Sequence, residues 1–428
     1  MEFLNIIYFL ILIGLAYQFL MSAGRIVKSP LNKGDLLQLT GPEMYWVLIF
    51  STGVLALSFD FGIDLMAIRI FVIMILCLIG FRFTACRPIW SIPIIMYGVY
   101  LIWLLIGCFY AYSFTFGIRV LLKYCYPFVF CLFASAVVDN FPTALKAGLT
   151  ARWVALITVF ITFLNIEHYI IPGVLWYITA RVIHYISFMV FSIALFFYTK
   201  EKRINALFIV LFLIPCFFYA LRTSILGSVV ALMSFAIIKW KFKSLPVIFS
   251  VLILGVASVF YIPSLRNKMF FNNKTSIEDF RAGKVDMEDV NTNYRAHLWG
   301  VLQNSLYKDH EIAGSGTGAT QFFMKENPKK VAGLIASHSD FVQMKCDNGL
   351  IGISLYCLMI GAIFIHCIII YWKTSDPRIR IFAITAGASL IGVFATCYSD
   401  NTVNYSMATL SIPFGFYGMT LALNKRLT

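Results

Sequence analysis

The sequence predicts an all-α, polytopic integral membrane protein of about 12–13 transmembrane helices with one large, partly helical external (periplasmic) loop. Three observations carry that reading. Of its 428 residues, 60% are hydrophobic and only 13% are charged, against roughly 25% charged in soluble domains. Apolar runs close to the ~20 residues that cross hydrocarbon recur along nearly the whole chain. The short alternating apolar and polar segments of a transmembrane β-barrel are missing from the pattern.

Spans are expected at 3–21, 43–60, 64–83, 89–111, 115–138, 147–165, 180–199, 204–220, 223–240, 245–262, 349–372, 380–398 and 405–422. They divide the chain into an N-terminal bundle (1–262), a large external loop (263–348) and C-terminal helices (349–428) that complete the same bundle. The first span has its basic flank, Arg25 to Lys33, after the apolar stretch and shows no small-residue cleavage pattern. It is therefore expected to remain as a span, with the N-terminus outside and the C-terminus inside.

The formal charge of +14 reports orientation rather than nucleic-acid binding. The basic residues gather in short loops on one side: Arg25, Lys28 and Lys33; Arg82 and Arg87; Lys146 and Arg152; Lys200, Lys202 and Arg203; Lys239, Lys241 and Lys243; Lys373, Arg378 and Arg380; Lys425 and Arg426. That is the positive-inside bias, and it places the long loop on the external face. Eight of the ten cysteines fall in spans, where cysteine acts as a small apolar residue, and Cys346 stands alone in the loop, so no disulfide framework is implied. No internal repeat argues for an inverted-repeat transporter.

A loop of roughly 85 residues is too long for a bare connector. Residues 272–293 are polar, with Glu278, Asp279, Asp286, Glu288 and Asp289 in a run that lacks metal-ligand spacing. Beyond them, Tyr294, Leu298, Val301, Leu302 and Leu306 recur at helical spacing, with Asn291 or Thr292 as N-cap. Gly314, Gly316 and Gly318 predict a flexible turn. A second short helix is expected from Ser339 to Asn348-Gly349, where glycine is a usual stop signal. The loop therefore reads as a small folded cap.

Five cations fall inside spans or at their outer ends: Arg69, Arg119, Lys123, Arg181 and Arg222. Arg119 and Lys123, four apart, share one helix face. A charge at mid-bilayer costs about 2.5–3.5 kcal/mol on insertion scales, and the spans hold almost no carboxylates; Asp60, Asp64, Glu167 and Asp400 fall in short external turns. A lipid diphosphate is the expected counter-charge, since arginine forks match phosphate oxygens. Snorkelling to headgroups is the plain alternative. His338 is a candidate general base near neutral pH, with Asp340 as a substitute base or as the group that orients it. Arg295 and Trp299 open the amphipathic loop helix, and His168, His184, His297, His310 and His366 receive structural readings.

These residues resemble a known family. His338-Ser339, nine residues, then Gly349-Leu350-Ile351-Gly352 is similar to the His-(Asn/Ser/Gln)-x9-Gly-x-x-Gly pattern of the O-antigen ligase and O-antigen polymerase superfamily. Arg295-x-x-x-Trp299, leading to Gly314-x-Gly316-x-Gly318, resembles the start of that family's external loop. Arg222 resembles its arginine at the outer edge of a span, with Leu221 where Ser or Thr is usual. Family members often have twelve spans with the N-terminus inside, the alternative to the thirteen placed here.

The resemblance implies a metal-independent, inverting glycosyltransferase without cofactor, in the bacterial inner membrane with its active site facing the periplasm. Its donor would be an undecaprenyl-diphosphate-linked glycan and its acceptor a second glycan, with His338 as base and arginines stabilising the leaving diphosphate. A polysaccharide polymerase (O-antigen, capsule or exopolysaccharide) is the first reading. The alternatives are a ligase onto lipid A core and, in another class, a flippase or transporter of lipid-linked sugars. A chain-length regulator and a flippase of the same pathway are expected partners; nucleic acid is not.

Overall fold

The computed structural model describes residues 25–28, 36–53, 65–84, 86–164, 178–219, 221–261, 295–334, 336–405 and 407–427. The expected span at 3–21, the polar stretch 272–293 with its acids, the N-cap at Asn291 or Thr292, and Tyr294, Asp60, Asp64, Glu167 and His168 lie outside them.

Among the described residues, the regular structure is helical apart from a two-stranded antiparallel ribbon, β1 (Arg25–Lys28) on β2 (Leu36–Leu39), in a register pairing Arg25 with Leu39 and Lys28 with Leu36. It occupies the basic stretch expected to be loop. The long helices follow as α1 (Gly41–Gly53), α2 (Leu65–Gly80), α3 (Ile92–Phe109), α4 (Phe114–Val137), α5 (Phe141–Leu164), α6 (Ile178–Tyr198), α7 (Lys202–Phe218), α8 (Arg222–Trp240) and α9 (Leu245–Tyr261). Among the described residues, two short helices come next, α10 (Arg295–Leu302) and α11 (Ala319–Glu326). Then come α12 (Asp340–Lys373), α13 (Pro377–Thr396), the single turn α14 (Thr402–Tyr405) and α15 (Met407–Leu427).

Twelve of the thirteen expected spans therefore fall on helices, and the thirteenth lies outside the described residues. Among the described residues, six helical segments are long and apolar enough to cross a membrane: α3, α4, α5, the α8–α9 run, α12 and α13. The chain is an all-α polytopic membrane protein. Lys146 and Arg152 differ from the sequence expectation: both sit within α5 rather than a loop. Arg152 is 2% exposed, donates from Nη1 to Asn205 Oδ1 at 2.6 Å, and lies 3.9 Å from the Phe208 ring centroid. The bond to Asn205 and the Phe208 face, both on α7, offset part of the cost of burying this charge.

The centre of the bundle is α13. Asp376 caps it, accepting from the backbone N–H of Arg378 at 2.8 Å, and Pro377 suits the first turn. Its small residues Ala383, Gly387, Ala388 and Gly392 are buried, and they let α8 approach closely. A Cβ built on Gly392 would sit 2.6 Å from Ala231 Cβ and 2.8 Å from the Gly227 carbonyl; one on Gly227 would sit 2.9 Å from the Gly392 carbonyl. Close backbone approach through small residues is the common way membrane helices associate without a hydrophobic drive between them. It fixes Arg222, at the start of α8, beside the chain leaving the end of α13.

Candidate active site

The segment 295–348 folds onto the bundle as the sequence suggested, with three differences. Leu298, Leu302 and Leu306 do form one buried face, packed with Met324, Val331 and Cys346; the helix relaxes into a π-turn over Gln303–Tyr307. The Gly314–Gly318 stretch, expected to be flexible, is pinned. Asp347 accepts from the N–H of Gly318 (3.1 Å), the N–H of Thr320 (2.7 Å) and the hydroxyl of Thr320 (2.6 Å). The N–H groups of Ser315 and Gly316 donate to the carbonyls of Cys346 and Asp347, both at 2.9 Å. Thr317 donates to Asn348 Oδ1 at 2.8 Å and is fully buried.

The second loop helix begins as expected: the Ser339 hydroxyl accepts from the N–H of Val342 at 3.2 Å. It does not end at Gly349. Gly349 takes φ +64° and ψ −164°, the chain kinks, and the helix resumes as a span. A side chain at Gly349 would be strained and would meet the Ile312 carbonyl at 2.3 Å; one at Gly352 would come within 3.4 Å of the Trp103 indole. The paired glycines thus seat the hinge against loop and bundle.

The turn after α13, residues 397–401, gathers the candidate groups. Arg295 donates from Nη1 to the Ser399 carbonyl. Thr223, next to Arg222, has its hydroxyl 3.3 Å from that of Ser399, and Arg295 is close enough to Arg222 for their charges to interact. His338 Nδ1 lies 4.0 Å from Asp400 Oδ1; the imidazole is 25% exposed and the carboxylate 5%. His338 has φ +53°, a left-handed conformation that histidine adopts more readily than most side chains. Ser337 donates to Asn401 Oδ1 at 3.0 Å, while Trp299 Nε1 donates to the Ser337 carbonyl at 2.8 Å.

Asp340 is 2% exposed and works as an anchor. Its Oδ2 accepts from the N–H of Val403 at 2.9 Å, and its own N–H donates to the Cys397 carbonyl at 2.9 Å. The carboxylate beside the imidazole is that of Asp400, one of the four acids read from sequence as merely occupying a turn. Lys123 is half-buried on α4 and close enough to Asp340 to interact with its charge. Arg119, one turn earlier, is exposed with its guanidinium 5.5 Å from the Phe116 ring centroid. Arg69 and Arg181 fall in α2 and α6, and their side chains lie outside the described residues. His184 and His366 bond Thr409 (3.0 Å) and the Tyr417 hydroxyl (2.7 Å) within the bundle, in keeping with structural readings. A cavity lined by Phe81, Thr84, Cys86, Arg87, Pro88, Trp90 and Leu132 touches none of the site residues.

Fold and turn together define a membrane-embedded helical bundle in which the segment carrying His338 and Arg295 meets the start of α8, with Arg222, and the turn after α13, with Asp400. Residues 207–357 match a family model described as O-antigen ligase. That match supports the resemblance to the O-antigen ligase and polymerase superfamily, whose members are glycosyltransferase-like enzymes acting on lipid-linked glycans. The matched segment carries Arg222, Arg295, His338 and Asp340, whereas Ser399 and Asp400 lie beyond it. No curated protein matches the chain.

Proposed function

We propose that this protein polymerises undecaprenyl-diphosphate-linked oligosaccharide repeat units at the periplasmic face of the bacterial inner membrane, by inverting glycosyl transfer. The observation supporting it most is the single turn at Ser399–Asp400, reached by Arg295, by the residue next to Arg222, and by His338.

In the reaction, the acceptor sugar hydroxyl gives its proton to His338 as its oxygen attacks the anomeric carbon of the donor. The new C–O bond forms from one face while the bond to the diphosphate oxygen breaks on the other, so the configuration inverts. The departing diphosphate takes the electron pair, and its growing charge is met by the guanidiniums of Arg222 and Arg295. Asp400 stabilises the imidazolium that forms. Asp340 is a positioning residue, holding the start of α12 to the turn. Arg119 and Lys123 extend positive charge along α4 toward the lipid carrier, a role also open to Arg69 and Arg181. The donor and acceptor glycans are the partners this chemistry requires, and a chain-length regulator and a flippase of the same pathway would bracket it.

The periplasmic placement rests on charge. The helices α8 and α12 start at the site and finish in the basic segments around Lys239 and Lys373, and under the positive-inside bias this supports an outward-facing site. The family model's description favours a second reading, a ligase joining finished polymer to lipid A core. Glycolipid gels of a deletion strain separate the two: single repeat units on the core mark a lost polymerase, and bare core with accumulating lipid-linked polymer marks a lost ligase. Unchanged glycolipid and unchanged capsule would refute both.

A further inference from the structure

The ends of α8 and α12 that lie away from the site meet again. Trp372 Nε1 donates to the Ile238 carbonyl at 2.8 Å, and α13 starts there and returns to the site. Helices of 19 and 20 residues, α8 and α13, are about 30 Å long at 1.5 Å per residue, the thickness of the hydrocarbon layer. This end therefore lies at the opposite membrane surface.

Three cations converge there on aromatic faces. Lys239 Nζ is 4.3 Å from the Phe197 ring centroid and 4.7 Å from that of Tyr198. Lys241 Nζ is 4.6 Å from the Trp372 ring, and the Arg380 guanidinium is 5.4 Å from that of Tyr371. Hydroxyls of Tyr198 and Tyr371 are 2.5 Å apart, which ties the rings under Lys239 and Arg380 into one platform. Arg380 is near enough to repel Lys239. Among the described residues none of the three cations has a carboxylate at ion-pair distance, and nearby Asp376 is taken by Arg378 at 2.6 Å. Phe242, in the turn joining Lys241 to α9, is 92% exposed.

We propose that this platform binds the phosphate of an anionic glycerophospholipid. Cations that only snorkelled would spread apart to reduce their repulsion. Here rings hold them together, at headgroup depth, where aromatic side chains favour the interface and a phosphodiester offsets the repulsion. Phe242 then inserts among the acyl chains beside the bound lipid. The binding is independent of the glycosyl-transfer chemistry.

Full-length protein purified in neutral detergent is titrated with phosphatidylglycerol, phosphatidylcholine or inorganic phosphate, and read by native mass spectrometry and melting temperature. Retention of phosphatidylglycerol with a raised melting temperature is expected, and little effect from the other two. In K239Q/R380Q the affinity should fall at least about tenfold. The K241Q variant, which leaves the aromatic platform intact, should show a smaller loss if the double variant does not fold, and K329Q in the external segment should bind normally. Equal binding of phosphatidylcholine, an equal effect of inorganic phosphate, or undiminished binding by K239Q/R380Q or K241Q would overturn the proposal.

Discussion

At the residue scale, the left-handed backbone of His338 decides which substitution is informative. Alanine removes the imidazole but also strains a φ of +53°, whereas asparagine tolerates that region. His338→Asn is expected to keep the protein folded in the membrane and lower the rate of polymer formation at least about 100-fold, the scale of a lost general base. Near-normal polymer on a glycolipid gel would remove His338 as base. Arg222→Lys keeps the charge and loses the fork, so about tenfold lower activity is expected in the same assay; full activity would favour headgroup contact over diphosphate binding. Sequence made His338, Arg222 and Arg295 legible because they sit in a spaced pattern. It hid Asp400 and Ser399, which stand some 60 residues later and meet His338 only after α13 has crossed back. Asp347 and Asn348 were hidden differently: within the spaced pattern they looked like interchangeable positions, yet they hold the glycine loop.

At the element scale, hydropathy located the helices well because a span must satisfy its own backbone bonds. It could not tell a helix that stops from one that kinks and continues, since a glycine at positive φ serves either outcome. Gly349→Ala is expected to destabilise by at least ~1–2 kcal/mol from the left-handed backbone alone, with more from the Ile312 carbonyl it would strike. Thermal unfolding in detergent would show it as a lowered midpoint; an unchanged midpoint would mean the hinge is slack. Gly392→Leu tests a second contact. It should push α8 from α13 and displace Arg222, so activity should fall even where the protein still inserts. Arg152 shows the reverse error, a cation assigned to a loop because burial against Phe208 and Asn205 has no signature in hydropathy.

At the scale of the whole molecule, the segment 295–348 is packed onto the bundle and held to it through Thr317, Asp347 and the Gly349 hinge. Its helical stretches near 294–306 and after Ser339 were legible in the sequence; α11 was not, nor how firmly the segment is fastened, because the fastening bonds join residues of α12 to a loop some 30 positions earlier. Charge stabilisation by guanidiniums leads to a prediction for the intact enzyme. Purified protein with lipid-linked donor and acceptor should form polymer equally well with a chelator present, and a clear need for an added divalent cation would contradict the proposed scheme.

The turn that collects the candidate groups belongs neither to the segment carrying His338 and Arg295 nor to the helix that starts at Arg222. Sliding α13 along the bundle would therefore change the spacing of all three together, whereas replacing any one of them would leave the other two where they are.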